Sequence, residues 1–180
     1  MLTAEILEKT FKDVFFNAYK TTLCGGFDEP FYLASDSDGI AQIQYRYDYA
    51  SSALHEISHW CVAGEARRQL DDFGYWYAED GRSEAQQKQF EQVEITPQSY
   101  ECIFHWAAGM SFDVSVDNLA LPDYDPTPFR RTVYDNVKTL LENGLPKRVE
   151  QFAQALYLRT AQSSLPLQQF LRESHENNCR

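Results

Sequence analysis

The sequence predicts an α+β fold: one mostly helical domain over residues 1–180, with a small antiparallel sheet early in the chain. Three observations predict it. Apolar residues recur at helical spacing through most of the chain. One short stretch, Ile40 to Tyr47, alternates instead, with Ile43, Tyr45 and Tyr47 on one side. No linker, repeat or low-complexity run divides the 180 residues, which suffice for one core.

Leu2, Ile6, Leu7, Phe11, Val14, Phe15, Ala18 and Tyr19 mark an amphipathic helix over residues 2–23, stopped by Gly25-Gly26. Phe31 to Leu33 reads as short and extended, and Asp36 to Gly39 as a turn, so 31–47 forms a hairpin. A helix follows from a cap at Asp48 or Ser51 to about Ala63. Residues 65–72 read as a short helical stretch whose Arg67 and Arg68 face solvent, with pairing to helix-terminal carboxylates or docking of a protein partner as the alternatives. Gly74 to Arg82 reads as an aromatic loop. Glu84 to Glu94 is helical, and Thr96-Pro97 starts a separate helix reaching about Gly109. After a proline-containing loop at 119–128, Phe129, Val133, Val137, Leu140 and Leu141 mark a helix closed by Asn143-Gly144. Val149 to Tyr157 and residues 165–174 complete the helical set.

The net charge is −11, which argues against binding nucleic acid through its phosphates and suits a cationic partner or substrate. Aromatic residues make up 14% of the chain, enough to fill a core and also line a pocket. Charged Glu5, Glu8 and Lys9 interrupt the N-terminus, so it does not read as a signal peptide, and no long apolar run indicates a membrane span. The expectation is a cytoplasmic protein. Cys24, Cys61, Cys102 and Cys179 lie far apart and read as free thiols.

Residues 55–59 read His-Glu-Ile-Ser-His. Histidines four apart share a helix face, so His55 and His59 can reach one divalent metal from the same side. Glu56 sits beside that metal and can handle a proton. A sheet leading into such a helix makes the architecture zincin-like. A third ligand is expected, and either metal chemistry asks for a downstream acid. Phe90 and Val93 are read as the buried face of their helix, which favours Glu94. Glu91 is its supporting neighbour or the alternative ligand, and Glu84 is a weaker choice. Cys61 faces another side of the helix. His105, between Phe104 and Trp106, reads as a core histidine. The motif alone leaves two chemistries open: oxidation at iron, or zinc peptidase action with Glu56 as general base.

The chain resembles the bacterial elongation factor P hydroxylases. The resemblance is carried by Ala53 to Cys61, Ala63-Gly64, Ala66-Arg67-Arg68, Asp72 to Tyr77, Asp80-Gly81-Arg82 and Gln89-Phe90-Glu91. Val93-Glu94, Pro97-Gln98, Ala107 to Gly109, Asp117 to Leu119, Asp28-Glu29-Pro30 and Asn143-Gly144 extend it. It implies a mononuclear non-haem iron monooxygenase, using Fe(2+) and O2, that hydroxylates a β-lysylated lysine of the translation factor elongation factor P. In that reading His55, His59 and Glu94 (or Glu91) hold the iron and Glu56 supports them. Aromatic Tyr75, Trp76 and Tyr77 would flank the long cationic side chain, and Asp80 or Asp117 would meet its amines. Zn(2+) belongs to the peptidase alternative.

Overall fold

The computed structural model describes residues 2–35, 38–74, 82–116, 118, 124–160 and 163–179. Six α-helices and a three-stranded sheet lie among them. The order is α1 (Ala4–Tyr19), β1 (Thr21–Phe27), β2 (Phe31–Leu33), β3 (Ala41–Arg46), α2 (Ala50–Val62), α3 (Glu84–Ala107), α4 (Thr127–Asn143), α5 (Lys147–Thr160) and α6 (Leu167–Asn178). Among the described residues no helix is long and apolar enough to cross a membrane.

The first helix is shorter than its apolar pattern predicts. Thr3 caps α1 by accepting the Ile6 N–H, and Lys20 ends it in the left-handed conformation at φ 49°. The β-branched pair Thr21-Thr22 then opens a strand rather than a last helical turn. Gly25-Gly26 is therefore not a helix stop. It lies where the β1–β3 register shifts between Cys24 and Phe27. A Cβ on Gly25 would sit 2.5 Å from the Tyr47 carbonyl oxygen and 2.6 Å from the Tyr45 ring, so only glycine fits there.

The strand order is β1-β3-β2. The expected antiparallel pair is present as β2–β3, with Tyr32 opposite Ile43. The sheet is mixed rather than wholly antiparallel, because β1 joins β3 in parallel, Leu23 opposite Ile43. The free edge of β2 is covered by side chains. Asp72 accepts the Tyr32 N–H at 2.8 Å and Asp71 the Ala34 N–H at 2.9 Å. Both aspartates sit in the tight turn at 71–74, which follows another at 67–69 where one helical stretch over 65–72 was expected.

The core gathers around Trp60 of α2. The rings of Phe11, Phe15 and Tyr19 lie 5.2, 4.9 and 5.1 Å from it, and Phe152 of α5 packs on Phe11 and Phe15. This anchors the side of α2 opposite its histidines. The N-cap of α2 is Tyr49, which makes no side-chain cap bond, in place of Asp48 or Ser51. At the other end, Arg148 of α5 donates to the carbonyls of Trp60, Cys61 and Ala63, and Arg68 donates to Ala63. Two cations thus satisfy the last carbonyls of α2, where the helix dipole is negative. Arg67 donates to the Phe73 carbonyl. Arg67 is exposed, as expected, and Arg68 is half-buried; both also hold the chain around the end of the histidine helix.

α3 is one helix of 24 residues, not two. Ser83 and Gln86 form a capping box at its start. Pro97 lies inside it, at a cost of about 3 kcal/mol for the lost bond and ring clash. Burial of every residue from Pro97 to Ala107 offsets that cost. α3 packs against α2, α4 and α5 and carries a polar stripe into the core, formed by Gln87, Glu94, Gln98, Glu101 and His105.

Candidate metal centre

His55 and His59 are one turn apart on α2 and turn the same ring nitrogen inward: their Nε2 atoms are 3.1 Å apart. Glu94 of α3, buried at 1% exposure, meets them from the opposite side. Its Oε1 lies 3.3 Å from His59 Nε2 and its Oε2 lies 4.0 Å from His55 Nε2. One ligand atom from each of the three residues falls within 4.8 Å of the others. Metal–imidazole bonds of about 2.0–2.1 Å at angles of about 90–110° space two nitrogens about 2.8–3.4 Å apart. The 3.1 and 3.3 Å spacings fall in that range and the His55–Glu94 spacing of 4.0 Å is wider, so the three donors can close on one divalent ion with a small inward movement.

The groups behind these three are also defined. Glu101 Oε2 lies 2.8 Å from His55 Nδ1. Gln98 donates to Glu94 Oε2 at 3.3 Å and to the Ser115 carbonyl at 2.8 Å, and its own oxygen accepts the Ser115 N–H. His105 Nδ1 lies 2.9 Å from the Glu101 carbonyl oxygen. His105 is thus a satisfied core histidine, as its neighbours in sequence suggest.

Charge and burial oppose one another here. Burial would lower the pKa of His55, but Glu101, Glu56 and Glu94 prevail and raise it to about 10 in the metal-free protein. Burial would raise Glu94, yet His59, His55 and Gln98 hold it below the usual carboxylate range. Glu56 goes the other way: loss of solvent pushes its carboxyl up despite both histidines.

The three converging residues lie on the wall of a cleft of about 590 Å³. Glu29 and Pro30 of the β1–β2 loop, Arg46, Glu56, Asp72 and Phe73 line its other walls. Asp72 and Phe73 both have positive φ, 44° and 57°, an unfavourable conformation for non-glycine residues placed at this wall. Buried Arg82 lies 4.0 Å from the Phe90 ring centre and donates to Gln87, closing the cleft near the start of α3.

The structure brings Glu94 to the histidines, and not Glu91, which hydrogen-bonds Tyr124. The reason differs from the one the sequence offered. Val93 is 61% exposed and does not mark the buried face; the stripe from Gln87 through Glu94 to Glu101 does. Cys61 is buried and does not join the cluster. Glu84 is exposed at the helix start. Tyr75, Trp76, Tyr77, Asp80 and Asp117 lie outside the described residues. Sequence reasoning missed Glu101 and Gln98. The signal was present: Glu94, Gln98, Glu101 and His105 recur at i, i+4, i+7 and i+11, a polar stripe on one helix face among apolar neighbours.

Comparison with known proteins gives a family for this arrangement. A family model described as elongation factor P hydroxylase matches residues 10–170. A protein of Haemophilus influenzae named elongation factor P lysine hydroxylase is 49% identical over 147 residues, covering 81% of this chain and 83% of that protein.

Proposed function

The chain belongs to the elongation factor P hydroxylase family, and from that membership we propose that it hydroxylates a β-lysylated lysine of elongation factor P in the cytoplasm. His55, His59 and Glu94 would hold a single ferrous ion. The observation that carries this reading is the convergence of their ligand atoms within 4.8 Å on the wall of a cleft. Iron bound there would supply the redox change that oxygen insertion into a C–H bond requires and that zinc lacks.

The chain's own residues would do the rest. Two imidazoles and one carboxylate occupy one side of an ion and leave its other side to the cleft. The substrate side chain is long and cationic, and the cleft is acidic. Glu29 and Asp72 line it, are not among the three ligands, and can receive an ammonium group. In this reading Tyr75, Trp76, Tyr77, Asp80 and Asp117 would contact the substrate, as their chemistry and the resemblance suggest. Glu56 lines the cleft beside the ligands, where its carboxyl can hold or pass a proton.

The test is mass spectrometry of elongation factor P from cells lacking the protein and from the same cells regaining it. The factor gains the mass of one oxygen atom only when the protein returns. An equal mass in both strains defeats the reading. The same donor set also suits a zinc peptidase with Glu56 as general base. Zinc-dependent cleavage of an unstructured protein, lost in Glu56→Gln, would favour that alternative.

A further inference from the structure

We propose that Glu101 is a positioning residue of the metal centre, which fixes His55 in the tautomer that turns Nε2 to the metal. The inference rests on the metal reading above. An imidazole can present either nitrogen to an ion, and the choice is set by what the other nitrogen meets. Here Glu101 Oε2 lies 2.8 Å from His55 Nδ1, so Nδ1 carries the proton and donates to the carboxylate. The remaining nitrogen, Nε2, is the one that faces His59 Nε2 at 3.1 Å and Glu94 at 4.0 Å.

The arrangement follows from one helix. Glu101 is seven residues after Glu94, two turns along α3 on the same buried stripe. α3 thereby supplies both a ligand and the group that orients the ligand facing it. Glu101 is itself buried, so its carboxylate is withdrawn from water and has His55 as its neighbour in the site. A carboxylate on the far nitrogen of a metal-bound imidazole fixes the ring and makes it a stronger donor. Glu101 need not touch substrate to act this way.

The test is anaerobic titration of metal-free protein with Co(2+), read by its visible absorption, for wild type, Glu101→Ala, Glu101→Gln and His55→Ala. Glu101→Ala should weaken binding about 10–100-fold. Glu101→Gln keeps an oxygen that accepts the same N–H and should recover most of the affinity. Glu101→Ala binding as wild type does, with His55→Ala weakened, overturns the role of Glu101 and leaves the metal site standing. His55→Ala binding as wild type does overturns both. Should Glu101→Ala fail to fold, NMR of isotopically labelled histidine in zinc-loaded wild type decides the matter. A proton on His55 Nδ1 supports the proposal, and a proton on Nε2 refutes it.

Discussion

His55 and Glu101 are joined at 2.8 Å across the α2–α3 interface, and this contact governs the charge of the site before any ion enters. With Glu56 and Glu94 it raises the pKa of His55 from 6.5 to about 10. The metal-free protein therefore carries a protonated His55 at neutral pH, and an ion must displace that proton.

Metal uptake should accordingly release a proton and strengthen as pH rises. A single displaced proton gives about a tenfold gain in apparent affinity per pH unit below the folded pKa. Metal titrations between pH 6 and 8 in two buffers of different ionisation heat would show the release. The metal-free fold has the opposite trend. A folded pKa above the unfolded value contributes stability that is full below about 6.5 and is lost as pH rises toward about 10. Denaturant unfolding of metal-free protein across that window should show the decline, and His55→Ala should flatten it.

Glu94→Gln should abolish tight metal binding while leaving the helix intact. The amide is nearly isosteric, but it removes the charge that pairs with His59 at 3.3 Å. The expected loss exceeds the roughly 10–100-fold that removal of a supporting group brings. Glu91→Gln should leave metal affinity unchanged, since Glu91 is not in the cluster.

Trp60→Ala should destabilise the protein by about 3–5 kcal/mol, the usual cost of emptying a buried aromatic site. Trp60 is fully buried and meets Phe11, Phe15 and Tyr19. Because it seats the histidine helix, the metal affinity of the surviving folded fraction should fall as well. Chemical denaturation of the metal-free form measures the first effect without interference from the second.

Arg148→Met should cost about 1–3 kcal/mol by stripping donors from the buried end of α2. The carbonyls of Trp60 and Cys61 lose their arginine donor at once, and that of Ala63 keeps Arg68 alone. Hydrogen exchange should show faster opening in the last turn of α2 than in α4.

Local patterns made much of this legible. His55 and His59 could be paired from their spacing, because helix geometry alone puts them on one face. α4 ends at Gly144 with φ 98°, as Asn143-Gly144 indicated. The sheet was only half visible: the β2–β3 pairing is local, whereas the parallel β1–β3 pairing joins distant segments and leaves no local signature. Gly25-Gly26 misled because a glycine pair signals both a helix stop and a bulge. Pro97 misled because a proline is equally at home in a first turn, and only tertiary burial carries α3 through it. Glu94 was reached by an argument that took Val93 as buried. The polar stripe that in fact defines the face would have found Glu101 as well.

The most direct measurement supplies purified, iron-loaded protein with lysylated elongation factor P, a reductant and isotopically heavy dioxygen. The heavy atom should appear in the factor with wild type, and not with His55→Ala or with zinc-loaded protein. Equal incorporation by His55→Ala, or an inserted oxygen that comes from water, would contradict the iron hydroxylase reading.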